Sequence, residues 1–420
     1  MHYMGIAMPR ELFLKLTPLA EALSKLKTAV RPIGVEEVSL EGALGRVAAV
    51  DLTAHVPYPP FSFSEVDGYA VVAEDTYSAR EDSPIALRLA GEILAGSKET
   101  HRVEKGSCVR IATGAAIPEG CSAVVPLEYT ELKDGRVLVY KSVAPGENIA
   151  QLGGDIQKGK VVVKRGARIR PWDIVLLATA GYRSIPVYRR PSISVIASGS
   201  ELRPTGASLG EGEMYDANSP FLIAELRSRG YEVKGYGIVS DTLGELSEAM
   251  AQAASESNLI LVTGGSSKGV GDLVPKAIES IGGEILVHGI RSKPGKPTAI
   301  GKIRGTLVLG LPGYPVSCVV MFYMLVVPVL GMMEGEVVGY KTAKALLSRD
   351  ASLTLGRENF IPVKLEGGDK LIAHPLRMKT SRLSQLLDME TLAVASGRKV
   401  IAAKGEKVEV LLSVGRYWLK

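Results

Sequence analysis

The spacing of hydrophobic positions varies along the chain and is most regular after Pro191. From there, short apolar runs alternate with segments whose apolar residues recur at helical spacing. Predicted strands cover Ile193–Ile196, Glu232–Val239, Leu259–Val262, Glu284–Val287 and Thr306–Leu309. Predicted helices begin at Ser219-Pro220, Thr242, Asp272 and Pro315, where a capping residue or a first-turn proline stands. This alternation predicts βαβ units and a mostly parallel sheet.

The flanking regions have a different pattern. A helix is predicted after Thr17-Pro18, and short β-like runs begin at Tyr58. Asp134-Gly135 between two such runs indicates a hairpin with a type I′ turn. From about Lys341 short runs return and favour a small β-barrel, with a sandwich as the alternative.

These changes of pattern predict a multidomain α/β plus β protein. We expect an elongated N-terminal domain made of residues 1–57 and 146–190, with a β-rich domain of residues 58–145 inserted into it. Residues 191–335 form the central α/β domain, and residues 341–420 form a C-terminal β-barrel domain. The length of 420 residues by itself suggests about three domains.

Composition limits the classes of function. A net charge of +5 favours small anionic ligands, and an aromatic content of 5% leaves few stacking platforms, so no nucleic-acid partner is expected. Cys108, Cys121 and Cys318 lack C-x-x-C spacing, which indicates free thiols and a cytoplasmic protein. The apolar run Cys318–Leu330 contains Pro328 and is expected to be too short to cross a membrane.

Four unusual loops directly follow four of the predicted strands. Because ligands bind at the carboxyl ends of the strands in an open parallel sheet, we expect these loops to share one edge. Glycines at the end of a buried strand leave backbone N–H groups free to bind an anion, and phosphate is the first candidate. The loops are Ala197–Glu201, Ser240-Asp241, Thr263–Asp272 and Leu311–Pro315.

Charged side chains in these loops suggest the chemistry. Glu201, Asp241 and Asp272 beside a phosphate require a bridging hard cation such as Mg²⁺. The two aspartates could instead cap helices, and the glutamate could simply be solvated. Lys293 and Lys296 lie in a Lys-Pro-Gly-Lys-Pro segment, whose rigidity favours a binding role over an ordinary solvated pair.

Other motifs are weaker or absent. The sequence has no G-x-x-x-x-G-K-[ST], and no G-x-G-x-x-G follows a strand, which argues against a P-loop nucleotidase and a dinucleotide-dependent dehydrogenase. In the second region, Asp67 precedes Gly68 and Thr113 precedes Gly114. Each of these pairs alone is more typical of a turn than of a site.

Taken together, the motifs resemble the MoeA family of molybdopterin molybdenumtransferases, which is homologous to the gephyrin E domain. Each motif is modestly specific, whereas the ordered set, which extends from about Leu14 to the end of the chain, is highly specific. The motifs are V-D-G-Y-A (Val66–Ala70), R-I-A-T-G-A (Arg110–Ala115), P-G-E-N-I (Pro145–Ile149), Y-D-A-N (Tyr215–Asn218), T-G-G to G-D (Thr263–Asp272), K-P-G-K-P (Lys293–Pro297) and L-P-G-Y-P-V-S (Leu311–Ser317).

The resemblance implies a role in molybdenum cofactor biosynthesis. Members of the family insert molybdate into the dithiolene of adenylylated molybdopterin and release AMP, with Mg²⁺ present. The resemblance also implies a homodimer in which the α/β domain of one protomer and the β-rich domain of the other share a site. Residues 191–335 are then the molybdopterin-binding domain, and the pterin supplies the sulfur ligands.

The motif matches also imply functional residues in this sequence. The residues implied as catalytic are Asp67, Thr113, Glu201, Asp272, Lys293 and Lys296. The residues implied to bind the pterin nucleotide or molybdate are Gly264, Gly265, Ser266, Gly271, Pro312, Gly313, Ser317, Arg357 and Ser381. The implied Mg²⁺ ligands are Glu201, Asp241 and Asp272.

A few positions depart from the family pattern. Ser62-Phe63 stands where Asp-Asn is common, Ser200 and Thr242 replace common acids, and Tyr314 replaces the usual Asn. These differences concern the metal and oxyanion sites, so tungstate is an alternative substrate. The protein could instead be a molybdopterin adenylyltransferase, which would resemble only the α/β domain, or a non-catalytic scaffold.

Overall fold

The computed structural model describes residues 16–97, 102–264, 273–336, 339–376 and 381–412. The chain divides into two compact units, Met1–Glu36 with Tyr188–Lys420, and Glu37–Val187. The finer division into four parts, with borders near residues 57, 145, 190 and 335, stays a prediction.

The first helix, α1 (Leu19–Ala29), begins after Pro18 as the sequence predicts. Its apolar residues at helical spacing form one buried face, on which Leu19 and Leu26 are almost fully buried. The helix ends where Val30 turns to an extended conformation while its N–H still bonds to the Leu26 carbonyl. The buried face packs into the core of the α/β region.

The elements between residues 35 and 188 are mostly short strands. They are β1 (Val35–Ser39), β2 (Leu52–Thr53), β3 (Phe63–Ser64), β4 (Gly68–Val71), β5 (Ile85–Ile93), β6 (Ser107–Ile111), β7 (Ala123–Pro126), β8 (Thr130–Lys133), β9 (Arg136–Val139), β10 (Ile149–Ala150), β11 (Val161–Val163), α2 (Pro171–Thr179) and β12 (Ser184–Tyr188). Six of them form a sheet in the order β7-β4-β6-β5-β9-β8. The predicted hairpin joins β8 to β9, and positive φ angles of 50° at Asp134 and 74° at Gly135 fit a type I′ turn.

The α/β region contains a six-stranded sheet with helices on both faces. Its elements are β13 (Ile193–Ser198), β14 (Leu202–Arg203), β15 (Met214–Tyr215), α3 (Asn218–Ser228), β16 (Val233–Val239), α4 (Leu243–Glu256), β17 (Leu259–Gly264), α5 (Leu273–Ser280), β18 (Glu284–His288), β19 (Ser292–Lys293), β20 (Ala299–Ile303), β21 (Thr306–Leu311), α6 (Pro315–Met321) and α7 (Val327–Met333). The strand order is β16-β13-β17-β21-β20-β18. The first four strands are parallel, whereas β20 and β18 are antiparallel to their neighbours, so the prediction of a mostly parallel sheet is confirmed.

Both faces of this sheet are buried, which explains why its central strands are apolar at nearly every position. On one face, side chains such as Leu261 and Leu309 pack against α1, α3, α6 and α7. On the other face, side chains such as Val262 and Val308 pack against α4 and α5. The two cores fix both the register of the strands and the side of the sheet on which each helix lies.

The most apolar helix runs through this core. α6, a π-helical segment (Phe322–Val326) and α7 are continuous from Pro315 to Met333, and the mean hydropathy reaches 2.3. Within the described residues this helix has the length and composition to cross a membrane, but 83% of its apolar window is buried inside the protein, as in a core helix. The expectation that this segment is too short to cross a membrane is wrong by length alone, because the helix continues through Pro328. This proline lies in the first turn of α7, directly after the π-helical segment, where the hydrogen-bond ladder is already irregular.

The C-terminal region is a closed barrel. Its strands are β22 (Thr342–Leu347), β23 (Ala351–Ser352), β24 (Glu358–Glu366), β25 (Ile372–Pro375), β26 (Thr391–Ser396), β27 (Ile401–Ala402) and β28 (Lys407–Leu411). The order β24-β25-β22-β28-β26 closes through an antiparallel pairing of β26 with β24. The barrel is therefore confirmed over the sandwich, and its interior is filled by small and branched side chains such as Ala393 and Val410.

A pH-dependent stability difference is expected for Asp173 in the first turn of α2. Its carboxylate accepts hydrogen bonds from the Arg170 backbone N–H at 2.8 Å and from the Arg170 guanidinium at 2.8 and 2.9 Å. The guanidinium bonds are the main cause that lowers the pKa of Asp173. Asp173→Ala should therefore reduce the free energy of unfolding by about 1 kcal/mol at pH 7, as followed in urea by Trp172 fluorescence in a Trp418→Phe background.

Because the pKa of Asp173 is lowered in the folded state, its contribution to the free energy of unfolding is complete above the ordinary aspartate pKa. The contribution disappears as the pH falls through the folded-state pKa. The difference in the free energy of unfolding between wild type and Asp173→Ala should therefore decrease at acidic pH. Glu81→Ala removes an exposed acid of the same unit and serves as the control. An equal loss of unfolding free energy in Asp173→Ala and Glu81→Ala would contradict this role of Asp173. A difference between wild type and Asp173→Ala that does not depend on pH would also contradict it.

Candidate active site

The four predicted loops emerge from neighbouring parallel strands. In the sheet register, Ser198 lies beside Val239 on one side and beside Gly264 on the other, and Thr263 lies beside Leu311. The four parallel strands β16, β13, β17 and β21 therefore end at the same position along the strand direction. The predicted convergence on one edge is confirmed for the ends of all four strands.

The glycine at the end of β17 lies against the neighbouring strand. Gly264 has a φ of 113°, and a Cβ at this position would lie 1.8 Å from the Ser198 carbonyl oxygen. No other residue fits here, so the chain leaves the sheet close to β13. The other predicted residues of this loop, Gly265, Ser266, Gly271 and Asp272, lie outside the described residues.

Two of the three predicted acids are described, and they lie on adjacent loops because β13 and β16 are neighbours. Glu201 is exposed, and its carboxylate folds toward Gly199, where a Cβ would come within 2.7 Å of Oε2. Asp241 does not cap α4, because the Thr242 hydroxyl accepts the hydrogen bond from the Glu245 N–H at 3.4 Å. The capping alternative for Asp241 is therefore wrong, and its carboxylate is not used in the helix terminus.

The predicted Mg²⁺ site requires the carboxylates of Glu201, Asp241 and Asp272 together. Among the described residues, no group of three or more His, Cys, Asp or Glu side chains is close enough to hold a metal ion. Since Asp272 lies outside them, the predicted Mg²⁺ ligand set stays a prediction.

The predicted lysine loop has a fixed backbone. The Lys293–Pro294 peptide bond is cis, and the Gly295 carbonyl accepts hydrogen bonds from the backbone N–H and hydroxyl of Thr298, the latter at 2.8 Å. Gly295 has a φ of 114°, and a Cβ there would come within 2.6 Å of the Ser292 hydroxyl and within 2.3 Å of the Met321 sulfur, so any other residue would be strained. The Lys293 side chain is half-buried and that of Lys296 is exposed.

The barrel brings a third cation to this loop. β19 pairs in parallel with β24, so Ser292 lies beside Glu358 and Lys293 beside Asn359. The buried Asn359 amide donates to the Arg357 carbonyl at 2.9 Å and thereby holds the turn that precedes β24. Arg357 therefore lies next to the lysine loop although it is more than 60 positions away in sequence.

The remaining predicted residues surround the start of α6. Pro312 is buried, Gly313 is half-buried, and Ser317 lies in the first turn of α6 with 4% exposure. Ser381 is exposed and precedes a 3₁₀ turn (Leu383–Leu387) that contacts α6. Burial raises the pKa of the neighbouring Cys318 thiol, with a further contribution from the charge of Asp216, so this thiol is not a nucleophile.

Sequence reasoning missed two residues beside these loops, Asp216 and Asn218. The Asp216 carboxylate accepts hydrogen bonds at 3.1 Å from the N–H groups of Asn218 and Ser219 and caps α3, so the predicted cap at Ser219 is wrong. The Asn218 amide donates to the Gly313 carbonyl at 2.8 Å. Both residues belong to the Y-D-A-N motif, and an Asp placed just before a helix start is the signal that could have identified the cap.

Buried hydroxyls without a partner also mark this edge. Five buried Ser and Thr side chains of the described chain have no hydrogen-bond partner, and four of them lie at strand ends, at a helix start or beside the lysine loop. Such groups carry a desolvation cost that a bound ligand can relieve. The four are Ser198, Ser219, Thr263 and Ser292.

The other predicted pair, Asp67 and Thr113, lies in the unit Glu37–Val187. The Asp67 carboxylate accepts hydrogen bonds from the backbone N–H of Thr113 at 2.7 Å and from its hydroxyl at 3.0 Å. The backbone bond is the main cause that lowers the pKa of Asp67, so the exposed carboxylate is ionised at neutral pH. The structure therefore joins two turns that the sequence could treat only separately.

Known proteins resemble the chain over most of its length. The family described as the MoeA N-terminal region (domain I and II) matches residues 17–181, and the family described as a probable molybdopterin binding domain matches residues 194–332. The molybdopterin molybdenumtransferase of Bacillus subtilis is 31% identical and covers 94% of both chains. That of Haemophilus influenzae is 35% identical over 76% of this chain and 78% of its own.

A solved structure agrees with these relationships. The crystal structure of the molybdopterin biosynthesis MoeA protein from Pyrococcus horikoshii has a TM-score of 0.82 and 33% sequence identity. The match covers 95% of this chain and all of that chain. The chain therefore belongs to the MoeA family, the molybdopterin molybdenumtransferases of molybdenum cofactor biosynthesis.

Proposed function

We propose that this protein inserts molybdate into the dithiolene of adenylylated molybdopterin and releases AMP in an Mg²⁺-dependent reaction. The observation that carries the proposal is the sheet edge at which the ends of four parallel strands meet a rigid lysine loop and buried hydroxyls without partners. The enzyme class follows from the relatives, which are named molybdopterin molybdenumtransferases and match most of the chain.

The oxyanion is proposed to bind between the lysine loop and the start of α6. Lys293, Lys296 and Arg357 would supply positive charge, and the Ser317 hydroxyl would donate a hydrogen bond. An anion in a partly buried site is stabilised most by donors that are fixed before it binds. The hydrogen bonds from Thr298 to the Gly295 carbonyl and the β19–β24 pairing provide such fixation of the backbone.

The pterin nucleotide is proposed to bind along the carboxyl edge. Backbone N–H groups near Gly264, Gly265, Ser266 and Gly271, together with the Pro312-Gly313 segment, would contact its phosphates and ring. Glycines allow the backbone to approach a ligand without interference from side chains. The hydroxyls of Ser198 and Thr263, at the ends of β13 and β17, are buried without a hydrogen-bond partner.

Glu201, Asp241 and Asp272 are proposed to hold Mg²⁺. The donor set suits this ion, because Mg²⁺ takes one or two carboxylates together with phosphate oxygens and water. When bound, the ion would offset negative charge on the pyrophosphate as the bond to AMP breaks. By holding this ion, the three acids would fix the position of the pyrophosphate relative to the oxyanion.

Competing functions are less well supported. An adenylyltransferase resembling only the α/β domain would leave the match over residues 17–181 unexplained. A scaffold would not need rigidly held cations beside unpartnered hydroxyls. Tungstate would be recognised by the same groups as molybdate. AMP release measured with each oxyanion distinguishes the two substrates.

We also propose a homodimer whose two sites each combine residues of both copies, and a cytoplasmic location. The homodimer follows from the family resemblance, in which Asp67 and Thr113 act across the interface. The exposed, ionised Asp67 carboxylate is available for such a role. The cytoplasmic location is supported by Cys108, Cys121 and Cys318, which are all free thiols.

The proposed function is tested by AMP release from adenylylated molybdopterin with Mg²⁺, measured with molybdate, with tungstate and without either. We expect release that depends on the oxyanion, with molybdate preferred. Formation of adenylylated molybdopterin from ATP and molybdopterin, without AMP release, would instead identify an adenylyltransferase. Inactivity in both assays would favour the non-catalytic scaffold.

Removing one cation should weaken oxyanion use without abolishing the reaction. Lys296→Ala is expected to raise the molybdate concentration for half-maximal AMP release about tenfold, with a smaller effect at saturation. Lys344→Ala, which removes an exposed lysine of β22, is the control and should behave as wild type. A Lys296→Ala enzyme that saturates at the wild-type molybdate concentration would exclude this role.

Mixed dimers test the shared site. Asp67→Asn and Asp272→Asn should each slow AMP release more than tenfold as separate homodimers. After subunit exchange, about a quarter of the sites should be intact if each site takes the two acids from different copies. Exchange between Asp67→Asn and Thr113→Ala is the control and should restore nothing. No recovery in the first mixture, with mixed dimers verified by native mass spectrometry, would rule out the shared site.

A further inference from the structure

A chain of hydrogen bonds connects two of the loops at the carboxyl edge. The short strands β14 and β15 pair in parallel, with the Met214 N–H donating to the Glu201 carbonyl at 2.9 Å. The Asp216 N–H continues this ladder by donating to the Arg203 carbonyl, also at 2.9 Å. The loop that carries Glu201 is therefore fixed to the residues that enter α3.

The same path continues from α3 to the start of α6. Asp216 and Asn218 are buried, with exposures of 7% and 8%. The Asp216 carboxylate caps α3, and the Asn218 side-chain amide extends away from that cap to the Gly313 carbonyl at 2.8 Å. Gly313 is four residues before Ser317, so this bond joins the Glu201 side of the edge to the proposed oxyanion side.

The two side chains have separable tasks. Asp216 Oδ1 accepts from the N–H groups at the helix start, whereas the Asn218 Nδ2 group takes no part in α3. Removing the Asn218 amide should therefore leave the helix capped and release only the Gly313 segment. The half-buried Gly313 carbonyl would then be free to move toward another partner, which would displace the backbone that leads into α6.

We propose that Asn218 is a positioning residue, which fixes the Leu311–Pro315 loop relative to the Glu201 loop and thereby sets the geometry of the oxyanion site. This inference rests on the proposed function. Asn218 does not touch the reacting groups; it acts through Gly313 and the segment that carries Ser317. A displacement of about 1 Å in such a segment is sufficient to cost large factors in binding or rate.

The main test is the kinetics of Asn218→Ala. We expect the molybdate concentration for half-maximal AMP release to rise about tenfold, with a smaller change in the rate at saturation. Asn218→Asp should be worse than Asn218→Ala, because its carboxylate would face the Gly313 carbonyl and lie near the Asp216 carboxylate. An unchanged molybdate dependence in a folded Asn218→Ala protein would overturn the proposal.

Asn258→Ala is the matched control. The Asn258 side chain accepts hydrogen bonds at 3.0 Å from the N–H and the hydroxyl of Ser192, at the opposite, amino end of the same sheet. Its removal should lower thermal stability without changing the molybdate dependence. The same shift in both variants would indicate general loosening of the domain and would also overturn the proposal.

Hydrogen exchange separates this inference from the proposed function. The amides of Gly313, Tyr314, Val316 and Ser317 should exchange faster in Asn218→Ala than in wild type or Asn258→Ala, and no difference would contradict the tether. If wild type releases no AMP with molybdate, the proposed function fails, whereas the exchange experiment still decides whether Asn218 holds this loop.

Discussion

The level alignment of four parallel strands is the constraint on which the rest of this structure depends. The central strands β13, β17 and β21 have apolar side chains on both faces, and two separate cores of helices cover them. A slip of one residue in any of these three strands would exchange the side chains of the two cores, so their register is strongly fixed, and the partly exposed edge strand β16 pairs with β13. Because the register is fixed, the strands end together and their loops share one edge.

The backbone of the lysine loop at this edge is held in place by two kinds of contact. The lysine loop is held by hydrogen bonds to the Gly295 carbonyl and by the pairing of β19 with the barrel strand β24. The pairing places Arg357 next to the lysine loop, so the closed barrel would contribute to the proposed oxyanion site as well as to the fold. A fixed backbone that carries several cations would suit a tetrahedral oxyanion, which would otherwise lose its hydration without compensation.

Much of the fold could be predicted from local pattern. Strands and helices of the α/β region follow hydrophobic spacing, and the Asp134-Gly135 turn follows from the φ angles that its residues tolerate. The predictions that failed concern choices between adjacent polar residues. Ser219 and Asp216 are both plausible caps for α3, and only the path of the preceding chain decides that Asp216 bonds to the helix start.

The sequence by itself determined the types of the main elements, the order of the motifs and the family, because these depend on residues that are close together in the chain. The tertiary structure decided which distant groups meet. Thr113 bonds to Asp67, Asn218 bonds to the Gly313 carbonyl, and Arg357 lies next to the lysine loop. Such contacts join segments separated by roughly 45 to 95 positions, and they form because the burial of separate apolar surfaces brings the backbones together, which no local pattern encodes.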